Sequence, residues 1–97
     1  MDHSTRISQA VETVVNTVRM VEATKVPAVI YVDRFGKISY AAKNSMRARS
    51  VDSNQVLFTI DPKHYLVRKL VKEGESSLRA NLESNRTKYG RILHAAV

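Results

Sequence analysis

Ile7, Ala10, Val11, Val14, Val15, Val18 and Val21 recur at three- and four-residue spacing, with Ser8, Glu12, Asn16, Arg19 and Glu22 between them. That period predicts an amphipathic helix over about residues 4–23, with Asp2 or Ser4 as its N-cap. Valine restricts its own χ1 in a helix, so a stripe built from five valines is held by what it packs against rather than by propensity. The first element therefore demands a sheet or a partner helix. Pro27 biases Val26 away from the helical region and closes the segment.

The next two segments supply a sheet. Ala28–Val32 (AVIYV) is a short apolar, β-branched run, and residues 37–42 (KISYAA) alternate with Ile38 and Tyr40 on one face. Between them Asp33, Arg34, Phe35 and Gly36 have the chemistry of a type I turn ending in a residue at positive φ, which predicts a β-hairpin. A strand, DxxG turn and strand also opens many PAS sensor domains. The rest of this chain is too short for the strands and helices of that fold, and no family is assigned on it.

Residues 43–54 (KNSMRARSVDSN) are polar and without sustained period, and read as a long exposed loop. Residues 55–60 (QVLFTI) read as a third strand, followed by Asp61 and Pro62, the favoured N-cap and first helical residue of a second helix. Leu66, Val67, Leu70 and Val71 are its apolar members, and Gly74 marks its end. Ser76 is placed to cap a third helix carrying Leu78, Leu82 and Tyr89, with Arg79 and Glu83 at the spacing of a surface pair. Gly90 ends it, and residues 92–97 (ILHAAV) read as a fourth strand. The expectation is a single α+β domain over residues 1–97. Its antiparallel sheet of three to four strands packs against an N-terminal helix and a C-terminal helical pair, in the order αβββααβ.

Hydrophobic residues at 43% and charged residues at 26% place the chain among globular rather than disordered sequences. Without cysteine there is no disulfide, thiolate metal site or cysteine nucleophile. No run of roughly 18 apolar residues and no charged-then-apolar leader is visible, so the expectation is a cytoplasmic protein that does not span a membrane. A core this small, with so long an apolar stripe on the first helix, also makes a homodimer a reasonable expectation.

Charge is distributed unevenly. Lys and Arg against Asp and Glu number three to three over residues 1–27, five to three over 28–61 and eight to three over 62–97, for a net +7. Such asymmetry is the footprint of a surface that meets a polyanion. On the second helix His64, Arg68 and Lys72 fall at i, i+4 and i+8 with Lys69 adjacent, and no carboxylate lies between Pro62 and Lys72 to neutralise them. In the loop, Lys43, Arg47 and Arg49 stand with Asn44 and Ser45, all able to donate to phosphate oxygens. Arg86, Lys88 and Arg91 with Tyr89 form a last cluster. Tyr31 and Tyr40 on facing strands would stack an unpaired base if they pointed outward, and otherwise pack across the strands.

Catalysis finds less support. His3, His64 and His94 fall in separate elements, Asp33, Asp52 and Asp61 each suit a turn, loop or cap, and the three glycines sit where elements end rather than in a phosphate cradle. The expectation is a protein that is not an enzyme and carries no metal or cofactor. It would bind nucleic acid, DNA or RNA, through the phosphates, with low sequence specificity, at Lys43, Arg47, Arg49, His64, Arg68, Lys69 and Lys72. The alternative is a small protein-interaction module, an inhibitor or adaptor of the phage or plasmid regulatory type, docking its basic face on an acidic protein surface. That reading needs apolar anchors, for which Phe35, Met46 and Val51 are the candidates.

Overall fold

The computed structural model describes residues 3–85, with side chains from Gln9 onward. Its elements are α1 (His3–Thr24), β1 (Ala28–Val32), β2 (Ile38–Ala42), α2 (Met46–Arg49), a 3₁₀ turn (Ser53–Gln55), β3 (Val56–Ile60), α3 (Tyr65–Glu73) and α4 (Glu75–Ser84). The strands form one antiparallel sheet in the order β2-β1-β3, so the fold is α+β. The fourth strand expected at 92–97, the cluster at Arg86, Lys88, Tyr89 and Arg91, and His94 lie outside the described residues, as does the side chain of His3.

The valine stripe does what its period requires. Val14, Val15, Val18 and Val21 are completely buried, against Ala28, Ile30 and Ile60 of the sheet and Leu66, Val67, Leu78 and Leu82 of α3 and α4. Each such side chain contributes roughly 1.5–3 kcal/mol on removal from water. Thr17 is buried among them and satisfies its hydroxyl by donating to Thr13 O at 2.6 Å.

α1 stops through Lys25 rather than through Pro27 alone. Lys25 lies in the left-handed region (φ 60) and its N–H donates to Val21 O at 2.8 Å. A residue with a Cβ is strained there by about 1–2 kcal/mol, and glycine is not. Lys25→Gly is therefore expected to raise stability by roughly 0.5–1 kcal/mol, read as a higher urea midpoint at unchanged slope. The exposed Lys25–Glu22 contact that it removes weighs little against that.

The hairpin forms as the sequence predicts. Gly36 takes φ 75, its N–H donates to Asp33 O at 3.0 Å, and Asp33 Oδ1 accepts from the N–H groups of Phe35 and Lys37. In register, Ile30 faces Tyr40 and Tyr31 faces Ser39. Tyr31 and Tyr40 thus project from opposite faces of the sheet and are not a cross-strand pair. Tyr31 is buried, which removes it as a base-stacking residue.

The expected loop at 43–54 is instead a structured crossover. β2 and β3 flank β1 and both run antiparallel to it, so they are parallel to one another and need a connection of roughly a dozen residues. That connection covers the second face of the sheet: Val29, Tyr31 and Ala41 are buried there with Ala48, Val51 and Val56 against them. Ser45 anchors its start, with Oγ donating to Ala42 O and accepting from Ala48 N. Gln55 anchors its end, accepting from Asp52 N and donating to Val32 O. β1 is consequently buried at all five positions, which accounts for its unbroken apolar sequence. Opposite it, β3 carries a bulge at Leu57, between the Ile30–Phe58 and Tyr31–Val56 pairs.

α3 begins later than its sequence suggests. Asp61 and Pro62 form a turn in which Asp61 Oδ1 accepts from Lys63 N and Asp61 O accepts from His64 N. The cap is His64, whose Nδ1 accepts from Leu66 N at 3.1 Å. Gly74 joins α3 to α4 at φ 90, and α4 starts at Glu75 rather than being capped by Ser76. Val71 turns outward at 64% exposure, leaving Leu66, Val67 and Leu70 as the core side of α3.

Candidate functional site

The ionic contacts sort the cations into two sets. In the helical layer, Arg79 clamps Glu12 with bonds of 2.7 and 2.9 Å, and Glu75 lies 3.2 Å from Arg19. Lys25 reaches Glu22 and Lys69 reaches Glu73, each at 3.0 Å. By contrast Arg34, Lys37, Lys43, Arg47, Arg49, Lys63, Arg68 and Lys72 form no ion pair among the described residues. Five of these fall in the run from Arg34 to Val51, which contains no carboxylate.

The sequence-derived site therefore divides. Lys43, Arg47 and Arg49 are exposed on the crossover, which packs on the sheet through Ala48 and Val51. Arg68 and Lys72 are exposed on α3, which belongs to the layer on the other side of the sheet. The sequence leaves open whether these cations share a face; in the structure they lie on two surfaces. Lys69 leaves the basic set, because Glu73, one residue past the acid-free stretch from Pro62 to Lys72, closes on it. His64 differs from the other members: its Nδ1 is occupied as the helix cap and its ring stacks on Tyr65 at 4.9 Å.

Arg34 and Lys37 at the hairpin join the crossover cations in the carboxylate-free run and were not singled out by sequence. The gap between Asp33 and Asp52 was the available signal. Arg34 lies over the Phe35 ring at 5.2 Å, and Phe35 and Met46 are 81% and 82% exposed.

Arg79 turns to Glu12 of α1 rather than serving Glu83 along its own helix, and the contact shifts both groups. The paired hydrogen bonds from Arg79 hold the Glu12 carboxyl below its ordinary 4.5, and the positive charges of Arg79 and Arg19 add to this. Because the folded carboxyl titrates lower than the unfolded one, its contribution is complete above about 4.5 and is lost as pH falls through the depressed value. The urea midpoints of wild type and Glu12→Gln are thus expected to differ at pH 7 and to draw together as pH falls below about 4.5. A gap that does not narrow at all with falling pH would assign Glu12 a role other than this pair.

Among the described residues, no three His, Asp or Glu side chains come together as a metal site, and no helix is long and apolar enough to cross a membrane. No protein-family model matches the chain, and no curated protein or solved structure matches it either.

Proposed function

We propose that the protein is a non-catalytic nucleic-acid-binding domain that grips phosphates with Lys43, Arg47 and Arg49, extended by Arg34 and Lys37. The observation that carries this reading is charge segregation. Four glutamates of the helical layer are each engaged by a cation, whereas the run from Arg34 to Val51 has cations and no carboxylate. Lone guanidinium and ammonium groups on a fixed scaffold suit phosphate oxygens, and each phosphate neutralised releases counterions. The buried Tyr31 leaves one fewer group for reading bases, in keeping with low sequence specificity. Arg68 and Lys72 form a second, smaller contact.

The test is titration of labelled duplex DNA and single-stranded RNA with the full chain across salt concentrations. Three to five phosphate contacts imply a slope of log affinity against log salt of about −3 to −5 on duplex. Absence of binding at low salt would overturn the proposal.

A second reading, a protein-interaction module docking on an acidic protein surface, is favoured by one observation: Phe35 and Met46 stand almost fully exposed beside the same cations. Apolar anchors of this kind dominate protein interfaces and do little for phosphate binding. Phe35→Ala with Met46→Ala would leave nucleic-acid affinity within about twofold under the first reading.

A further inference from the structure

We infer that the outer edge of β2 accepts an extended acidic segment of a protein partner as a fourth strand of the sheet. The inference stands on backbone geometry and does not depend on nucleic-acid binding. Asp33 N–H donates to Lys37 O and Lys43 N–H donates to Pro27 O, which fixes the phase of the β1–β2 ladder. Lys37, Ser39, Ala41 and Lys43 then turn their backbone groups toward β1, and Ile38, Tyr40 and Ala42 turn theirs outward. Ala42 O is taken by Ser45, whose N–H and Oγ both donate to it. The N–H and C=O of Ile38 and Tyr40 and the N–H of Ala42 remain, with no partner among the described residues, as a template for another strand.

A groove runs along this edge, with Ile38 to Ala42 as its floor, Thr13 and Met20 of α1 on one wall, and Ser45 and Arg47 on the other. The two walls differ in chemistry. Ile38, Tyr40 and Met20 belong to the apolar side that packs on the helical core, while Lys37 and Lys43 project toward the second face, where Arg47 also lies. A strand laid in the groove would alternate apolar residues toward α1 with acidic residues toward these cations. The same cations argue against a second copy. Antiparallel pairing of two β2 strands about Tyr40 sets Lys37 of each chain beside Lys43 of the other, a like-charge contact that disfavours the pair.

The probe is a fluorescein-labelled, end-blocked peptide of about seven residues alternating valine and glutamate, followed by anisotropy against the full chain. It is expected to bind, and a version N-methylated on alternate amides, or a lysine-for-glutamate version, to bind at least about tenfold more weakly. Ala42→Pro removes an outward N–H without touching the β1 ladder and is expected to weaken the peptide by about tenfold while duplex DNA titration is unchanged. If Ala42→Pro does not fold, the N-methylated peptide on the wild-type chain decides alone. Peptide affinity indifferent to N-methylation would reduce the contact to charge and overturn the inference, as would no binding. A dimer in sedimentation equilibrium that Ala42→Pro dissociates would also overturn it, by making a second copy the occupant.

Discussion

Ile30→Ala is expected to destabilise the protein by about 2–5 kcal/mol, the range for removing a large aliphatic side chain from a core that cannot collapse around the gap. Ile30 sits at the centre of the central strand, is completely buried, and faces Tyr40 on one side and Phe58 on the other beneath the valines of α1. The neighbouring strands are tied to β1 by their ladders and α1 packs on the same core, which limits how far any of them can close on the cavity. Small domains have roughly 5–15 kcal/mol in total, and each kcal/mol moves the melting temperature of a domain this size by about 4–8 °C. A fall of roughly 10 °C or more should follow in a thermal melt. Ile30→Val, which removes one methyl group, should cost only about 0.5–1.5 kcal/mol. If the two variants proved equal, the core would be relaxing around the site, and the close packing of α1 on β1 would be wrong.

The elements visible in sequence are those whose signal is local and repeated. The valine stripe announces α1 because seven positions obey one period, and Asp33 to Gly36 announce the hairpin because turn chemistry is confined to four residues. The crossover was illegible for a physical reason. Its buried contacts rest on Ala48 and Val51, too few to set a period, and the polar residues around them face solvent whether the segment is ordered or not. What orders it is topological: placing β3 on the far side of β1 from β2 forces the chain across the sheet, and no local pattern encodes that order. The start of α3 failed differently. Asp61-Pro62 is an equally good turn and helix start, and the outcome was decided by the ring nitrogen of His64. The site was half legible. Cations could be counted, but their freedom depends on carboxylates that lie just past the acid-free stretch, as with Lys69 and Glu73, or far away in sequence, as with Arg79 and Glu12.

That difference between counting cations and finding free ones sets the second large effect. Arg47→Glu with Arg49→Glu is expected to lower duplex affinity at physiological salt by on the order of a hundredfold, and to reduce the salt slope by about two. Both side chains are exposed and neither belongs to a core cluster, so the urea midpoint should shift by no more than about 0.5 kcal/mol equivalent. Lys69→Gln removes the same sign of charge from the net total, yet its ammonium is already held by Glu73. It should leave affinity within about twofold and the slope unchanged. Arg68→Glu with Lys72→Glu falls between these limits if α3 makes a second contact, because those cations are free but lie beyond the sheet from the crossover. Were binding to follow net charge alone, all three would weaken it in proportion to the charge changed. A strong loss at Arg47 and Arg49 with none at Lys69 is the pattern that a located phosphate surface produces, and a diffuse basic protein does not.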